Sequence, residues 1–169
     1  MRLSLLCTLA GLCCLGVAVV LADEPASLPQ DILHHLDSLR PDLVAVNQDI
    51  WAFAELGLQE HRSAARLARV LTKAGFRVKE GVSDMPTAFV AEYGSGKPII
   101  GILAEYDALP ELSQQAGEPT RKAIAGPNAG HGCGHCALGT AAVGAALAVK
   151  EAIDKHHLKG TIRLYGTPA

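Results

Sequence analysis

The sequence has no block of basic residues and few aromatic side chains. Its 169 residues carry 15 Lys and Arg against 17 Asp and Glu, for a formal net charge of -2, and aromatic residues make up 4%. A nucleic-acid interface needs a basic surface, usually with interleaved aromatic residues, so no nucleic-acid partner is expected. The sequence also lacks an acidic tail, an internal repeat and a low-complexity segment, which argues against a disordered chain.

The first 22 residues have the pattern of a secretory signal peptide. Residues 1–2 (Met-Arg) form a short positive start, residues 3–21 are almost entirely apolar, and Val20-Leu21-Ala22 fits the small-residue rule for cleavage. We therefore predict a signal peptide over 1–22, a mature chain over 23–169, a secreted or periplasmic location and no stable membrane partner. The alternative is an uncleaved membrane anchor, since the apolar run is just long enough to span a bilayer.

Cysteine is scarce outside this leader. Three of the five cysteines lie within residues 1–14, and the predicted mature chain keeps only Cys133 and Cys136. Two cysteines do not make the disulfide framework of a small secreted domain. Because two thiols that stay close together in an oxidising compartment usually have a chemical role, the pair indicates a functional site.

The apolar periodicity predicts helices that alternate with strands, which is typical of an α/β domain. The predicted helices cover 27–39, 41–56 (starting at Pro41), 60–74 and 137–156. The predicted strands cover 76–82, 87–93, 99–104 and 161–165. Residues 99–104 form a continuous apolar run, the pattern of a central strand buried on both faces.

Two segments stand outside these elements. Residues 110–130 are rich in Gly, Pro, Gln and Ala, which predicts a long loop, and long loops in compact domains are often functional. The chain stops at Gly166-Thr167-Pro168-Ala169, directly after the last predicted strand, with nothing following to cover that strand. We interpret this ending as a truncated domain.

The clearest chemical feature is the loop His131-Gly132-Cys133-Gly134-His135. In an extended segment, residues two apart point the same way, so the two histidines and Cys133 are expected to face one point. Thiolate and imidazole groups are good zinc ligands. The loop runs into a predicted helix, whose N-terminus favours the thiolate form of the cysteine.

Two carboxylates are expected near this loop. Glu105 and Asp107 follow the apolar strand at its carboxyl end, where α/β proteins collect their ligands, and their spacing places both on one side. A hydrolytic metal site needs carboxylates, one of them as general base for the metal-bound water. The plainer interpretation, a solvated strand end, stays open on spacing alone.

Four motifs occur in a fixed order along the chain. They are Glu55-Leu56-Gly57-Leu58-Gln59-Glu60, Asp107-Ala108-Leu109-Pro110, Gly130-His131-Gly132-Cys133-Gly134-His135 and Gly166-Thr167-Pro168-Ala169. Together they resemble the aminoacylase/carboxypeptidase-like metallopeptidase superfamily, and within it the amidohydrolase branch that includes p-aminobenzoyl-glutamate hydrolase. The resemblance covers essentially the whole mature chain, and the ordered set is more specific than any one motif.

The resemblance implies a three-layer αβα metallopeptidase catalytic domain. This chain would be its N-terminal part, without the smaller lid that often dimerises, and the full-length protein would be a homodimer. The implied reaction is hydrolysis of an amide bond in an N-acyl amino acid, an aminobenzoyl-glutamate-like compound or a small peptide. The implied cofactor is a pair of divalent ions, zinc or manganese.

The resemblance also assigns site residues. Cys133 and His135 match metal ligands, with Cys133 bridging two ions, and Asp107 matches the aspartate that ends the metal-site strand and supports the catalytic site. In related peptidases a metal-binding histidine stands at the position of Glu105, so Glu105 is not counted as a ligand. Cys136 departs from the branch, which usually has Asn or Asp there.

Two further residues of the family are expected beyond this chain. In the family, two adjacent glutamates follow the Gly-Thr-Pro-Ala turn, the first acting as general base and the second binding metal. The chain ends before them, so we expect the 169-residue chain by itself to be inactive.

Two other functions remain open from sequence. Cys133-Gly134-His135-Cys136 is also the dithiol sequence of protein disulfide isomerases, so a thioredoxin-like thiol-disulfide oxidoreductase is an alternative. No aromatic residue precedes Cys133 and no strand leads straight into it, which disfavours that alternative. The other possibility is a non-catalytic metal-binding or interaction module.

Overall fold

A computed structural model of the chain describes residues 29–168. The predicted signal peptide, its cleavage before Asp23 and the final Ala169 lie outside these residues. The elements in chain order are α1 (Gln30–Phe53), α2 (His61–Lys73), β1 (Arg77–Glu80), β2 (Phe89–Ser95), β3 (Ile99–Ala104), β4 (Leu109–Pro110), β5 (Ala129–Gly130), α3 (His135–Lys155) and β6 (Gly160–Gly166). A short 3-10 turn, Val82–Asp84, separates β1 from β2.

Four strands form one mixed sheet in the order β1-β2-β6-β3. β6 pairs antiparallel with β2, where Leu164 lies opposite Ala91, and parallel with β3, where it lies opposite Ile102. The parallel pair needs a crossover, and α3 provides it. The predicted α/β fold class is therefore confirmed.

The hydrophobic core lies between this sheet and the helices. α2 and α3 pack on the sheet, and α1 packs across both helices. The side chains of β6 alternate along the strand, with Ile162 and Leu164 buried beneath the helices. By length and composition α3 also resembles a membrane span, with a mean hydropathy of 1.5, but its buried residues pack in this core.

Most predicted elements are confirmed with small shifts at their ends. α2 lies within the predicted 60–74, and its apolar face includes the buried Leu67 and Leu71. β1, β2 and β6 lie close to their predicted positions. The helix predicted from residue 137 begins two residues earlier, at His135, so the last residue of the glycine-histidine loop is already helical.

The prediction of two helices broken at Pro41 is wrong, because α1 runs through that proline. A proline inside a helix lacks its N–H and crowds the preceding turn, at a cost of about 3 kcal/mol. Here Pro41 is exposed, while Ile32 on one side of it and Val46 and Ile50 on the other are buried in one stripe. Burial of that stripe on both sides of Pro41 outweighs the local cost.

The prediction that residues 99–104 form a central strand buried on both faces is also wrong for the described residues. β3 pairs only with β6 and forms an edge of the four-stranded sheet. Ile99, Ile100 and Leu103 are 52%, 55% and 68% exposed. A continuous apolar run identifies a strand, but it does not say how many neighbours that strand has.

The carboxyl end of β3 is fixed by contacts from distant parts of the chain. The Ala108 N–H donates to the carbonyl of Glu55 at 2.7 Å, and Leu56 forms an isolated bridge with Ala108. The predicted long loop is present, and the pairing of β4 with β5 closes it at its base. The loop therefore starts beside Asp107 and ends at His131, which brings these residues together.

Two glycines of α3 provide a test of how closely this helix packs. A Cβ at Gly139 would lie 2.5 Å from the backbone oxygen of Glu105, whereas a Cβ at Gly144 would meet the side chain of Leu43 at 3.1 Å. We predict that Gly139→Ala lowers the free energy of unfolding by about 1–3 kcal/mol, because backbone does not yield. Gly144→Ala should be neutral or stabilise by up to about 1 kcal/mol, because alanine favours helix.

Urea unfolding followed by circular dichroism measures both changes. Equal stabilisation by the two alanines would contradict the close approach of α3 to the end of β3.

Candidate metal centre

The imidazole of His135 lies between two carboxylates. Its Nδ1 is 2.5 Å from Oδ1 of Asp107, and its Nε2 is 3.1 Å from Oε2 of Glu105. The predicted placement of both carboxylates on one side of the strand end is therefore confirmed. His135 is the first residue of α3 and follows Gly134, whose φ of 78° is a conformation that glycine adopts without strain.

The two carboxylates differ in their exposure. The side chain of Asp107 is 7% exposed, whereas that of Glu105 is 46% exposed. A buried carboxylate that accepts a hydrogen bond from one ring nitrogen fixes the orientation of a histidine and leaves the other nitrogen for a metal. Asp107 therefore positions the ring of His135, and Nε2 lies beside the more exposed carboxylate, that of Glu105.

The residue between the two carboxylates points the other way. Tyr106 is fully buried in the core, and its hydroxyl donates to the carbonyl of Thr87 at 2.5 Å. Burial, followed by the negative charge of Glu60, raises the pKa of Tyr106 well above its usual value, so the hydroxyl stays a donor. This anchor holds the strand end in the register that presents Glu105 and Asp107.

The extended geometry expected for the glycine-histidine loop is wrong. The chain turns at residues 132–133, and the Gly134 N–H donates to the carbonyl of His131 at 3.1 Å. His131 consequently faces α1, where its Nε2 lies 2.9 Å from the carbonyl of Ile50. The spacing of two residues aligns side chains only in an extended segment, and the glycines allow a turn instead.

His131 is held as a neutral donor. Burial lowers the pKa of His131. Its Nε2–H donates to Ile50, and its buried Nδ1 has no hydrogen-bond partner among the described residues. His131 thus ties the start of the loop to the carboxyl-terminal end of α1.

The two cysteines lie in different environments. Cys133 is exposed on the turn, whereas Cys136 is 6% exposed and belongs to the hydrophobic core. Burial raises the pKa of the Cys136 thiol, which keeps it in the unreactive thiol form. This arrangement does not favour the oxidoreductase alternative, which requires both sulfur atoms to react.

The donor atoms present are those of a partial metal site. Cys133 and His135 supply an exposed thiol and a positioned imidazole, a pair suited to zinc or a similar divalent ion. No three His, Cys, Asp or Glu side chains within residues 29–168 come together as a complete metal-binding group. Cys133 and His135 are therefore suitable donors for a divalent ion, but the described residues do not by themselves complete a site.

The motif that begins at Glu55 stabilises the site without entering it. The carboxylate of Glu55 accepts hydrogen bonds from the backbone N–H groups of Arg62 and Ser63, at 3.0 and 2.8 Å, and from the Ser63 hydroxyl at 2.7 Å. These bonds satisfy free donors at the N-terminus of α2. Its carbonyl accepts from Ala108, so Glu55 links α2 to the strand end that carries Asp107.

A cavity of about 380 Å³ lies beside His131, between the end of α1 and the long loop. Trp51, Leu112 and Ile124 line it and are each about 40% exposed. Sequence reasoning did not identify this cavity, because its lining comes from segments that only the fold brings together.

Comparisons with known proteins identify relatives of this chain. No family model matches the chain. The chain is 46% identical over 123 residues to one of the subunits of p-aminobenzoyl-glutamate hydrolase from Escherichia coli (strain K12), an alignment that covers 73% of this chain and 26% of the relative. It is 30% identical over 137 residues to N-acetyl-L-cysteine deacetylase of Bacillus subtilis (strain 168), covering 80% and 31% of the two chains.

A solved structure shares the fold. The chain superposes on the Bacillus subtilis YXEP protein, a dinuclear metal-binding peptidase from the M20 family, with a TM-score of 0.66 and 27% sequence identity. The match covers 79% of this chain and 36% of that protein. In fold and sequence the chain is thus similar to proteins that are named as metallopeptidases and amidohydrolases. Within that group, the chain is similar in sequence and fold to the M20 family.

The matches are partial in length. The chain spans about a quarter to a third of the curated relatives named above. What the relatives' names say about substrates therefore belongs to those proteins.

The contact between Asp107 and His135 can be tested by substitution. We predict that Asp107→Asn weakens zinc binding about 10–100-fold, because loss of a carboxylate that orients a ligand typically costs that much. Isothermal titration of zinc into the complete protein measures the change, with Asp37→Asn on the exposed side of α1 as the matched control. Unchanged affinity in Asp107→Asn would show that this contact does not orient a ligand.

The environments of the two cysteines predict unequal reactivity. In the chelator-treated native protein, iodoacetamide should label Cys133 quickly and Cys136 only after denaturation, because Cys136 is buried. Zinc added back before the iodoacetamide should protect Cys133 from labelling. Peptide mapping by mass spectrometry measures both labels, and a native Cys133–Cys136 disulfide would instead support the oxidoreductase alternative.

Proposed function

We propose that the complete protein hydrolyses an amide bond, in an N-acyl amino acid, an aminobenzoyl-glutamate-like compound or a small peptide. In this proposal Cys133 and His135 would hold divalent ions, zinc or manganese. The observation that carries it is the His135 imidazole, held at Nδ1 by the buried Asp107 and with Nε2 beside the partly exposed carboxylate of Glu105.

The names of the relatives support this reaction class. One denotes a hydrolase of p-aminobenzoyl-glutamate, and another denotes a deacetylase of N-acetyl-L-cysteine. Both compounds contain an amide bond between an acyl group and an amino acid. The dinuclear metal site named for the structural relative supports a pair of divalent ions.

The residues of this chain have separate tasks in the proposal. A bound divalent ion acts as a Lewis acid and lowers the pKa of a water ligand. Asp107 keeps Nδ1 of His135 protonated and the ring fixed. Cys133 is exposed on the turn just before α3, two residues ahead of His135.

In the family that the chain resembles, other tasks belong to further residues. The resemblance places the general base and a further ligand in two adjacent glutamates after Gly166-Thr167-Pro168-Ala169, and it adds a lid and a homodimer interface. We propose that the 169-residue chain alone is inactive for this reason. We also propose a secreted or periplasmic protein with its mature N-terminus at Asp23, and intact mass of the exported protein tests this.

An assay with a panel of substrates tests the reaction. The complete protein should release the amino acid from aminobenzoyl-glutamate, N-acetyl amino acids or dipeptides, lose that activity to a chelator and regain it with zinc or manganese. The 169-residue chain should show no turnover above its chelator-treated control, because loss of a general base alone costs about 10²–10⁴ in rate.

Two results would count against the proposal. Turnover that survives complete metal removal would exclude the metal mechanism. Metal-dependent turnover by the 169-residue chain alone would show that the base lies within it.

A further inference from the structure

The cavity beside His131 has no role in the function proposed so far. Its volume of about 380 Å³ lies within the range of small-molecule sites, and it opens between the end of α1 and the long loop. Trp51, Leu112 and Ile124 line it, and they are 39%, 45% and 40% exposed. An apolar ligand would remove this surface from water, which favours its binding.

Hydrogen bonds hold the walls of this cavity in place. The hydroxyl of the buried Ser113 accepts from the Ile124 N–H at 3.3 Å and donates to the Ile124 carbonyl at 3.4 Å, which joins the two sides of the long loop. On the opposite wall, His131 donates to the carbonyl of Ile50, the residue before Trp51. The cavity is therefore a formed feature of the fold.

The cavity adjoins the loop that carries the candidate metal ligands. Gly132, which directly precedes Cys133, lines it, and a Cβ at residue 132 would lie 2.5 Å from a methyl carbon of Leu112. Leu112 thus packs where the side chain of any other residue at 132 would lie. A substrate whose amide bond is held at Cys133 and His135 would have one of its two arms beside this cavity.

The charges of the lining decide which arm the cavity suits. Among the described residues that line it there is no lysine or arginine, and Glu118 is the one acidic residue. The amino-acid arm of an N-acyl amino acid ends in a carboxylate, and burying a carboxylate without a cation is costly. The acyl arm carries no such charge, and an aromatic acyl group can stack on the indole of Trp51.

We propose that this cavity binds the acyl group of the substrate and gives the complete protein a preference for aromatic acyl groups over acetyl. The inference rests on the proposed function and specifies which of its substrates are preferred, namely N-aroyl amino acids such as aminobenzoyl-glutamate-like compounds. Trp51 and Ile124 determine specificity in this account and do not touch the reacting atoms.

Two substrates that differ only in the acyl group test the preference. The complete protein should have a higher kcat/KM for N-benzoyl-glutamate than for N-acetyl-glutamate. Trp51→Ala and Ile124→Ala should each lower kcat/KM for the benzoyl compound about tenfold or more, because a lost apolar contact in a substrate pocket typically costs that much. The acetyl group is too short to fill the cavity, so kcat/KM for N-acetyl-glutamate should stay unchanged.

Val44→Ala is the matched control. It removes an apolar side chain from another exposed position of α1, outside the cavity lining, and should change kcat/KM for neither compound. Thermal melting shows whether each variant is folded.

Binding of an uncharged aryl amide probes the cavity without turnover. Benzamide should bind the chelator-treated complete protein more tightly than acetamide does. Trp51→Ala should weaken benzamide binding about 2–10-fold, the contribution of a stacked aromatic pair. Titration followed by NMR measures these affinities, and equal benzamide binding by the wild type and Trp51→Ala would contradict the stacking.

The kinetic outcomes separate this inference from the proposed function. A loss confined to the benzoyl compound supports the inference. If the complete protein hydrolyses both compounds and the two cavity variants leave the ratio of their kcat/KM values unchanged, the inference alone fails. If the variants alter only the discrimination between N-benzoyl-glutamate and N-benzoyl-alanine, the cavity holds the amino-acid arm and the inference is overturned. If no amide is hydrolysed at all, the proposed function fails and the inference falls with it.

Discussion

The contact between Asp107 and His135 joins the end of a strand to the start of a helix, and the rest of the site depends on it. One partner follows β3 and the other begins α3, so their 2.5 Å contact holds only if strand and helix keep a fixed relative position. Gly139, one turn into α3, has no side chain and lets the helix approach the backbone of Glu105. The close packing of α3 on the strand end and the contact between Asp107 and His135 therefore occur at the same point of the fold.

Distant segments converge on this strand end for different reasons. Tyr106 points into the core and donates to Thr87, which fixes the alternation that turns its two acidic neighbours away from that core and toward His135. Glu55 accepts bonds from α2 and from Ala108, so a motif with no ligand in it still positions the site. A sequence motif of this family can thus reflect support for the site as well as direct chemistry.

Features that depend on a local sequence pattern could be predicted from the sequence. Features that depend on a balance between a local preference and burial elsewhere could not. The apolar face of α2 and the acidic pair at 105 and 107 follow from simple periodicity, and both were predicted. The continuity of α1 through Pro41 does not follow from the sequence, because the local penalty of proline is outweighed by burial of the stripe on both sides of it. Apolar composition does not report strand order, so the edge position of β3 in the described sheet does not follow from the sequence either.

The pair of cysteines shows why spacing alone does not define a site. A Cys-x-x-Cys sequence is compatible with a reactive dithiol. It is equally compatible with one metal-binding cysteine followed by a cysteine of the hydrophobic core. A helix that begins between the two sulfur atoms distinguishes the second arrangement from the first. Here α3 begins at His135, so the turn leaves Cys133 exposed and the first helical turn buries Cys136. The same helix start presents His135 to both carboxylates. The point at which α3 begins therefore decides which of the two sulfur atoms is available to a metal ion.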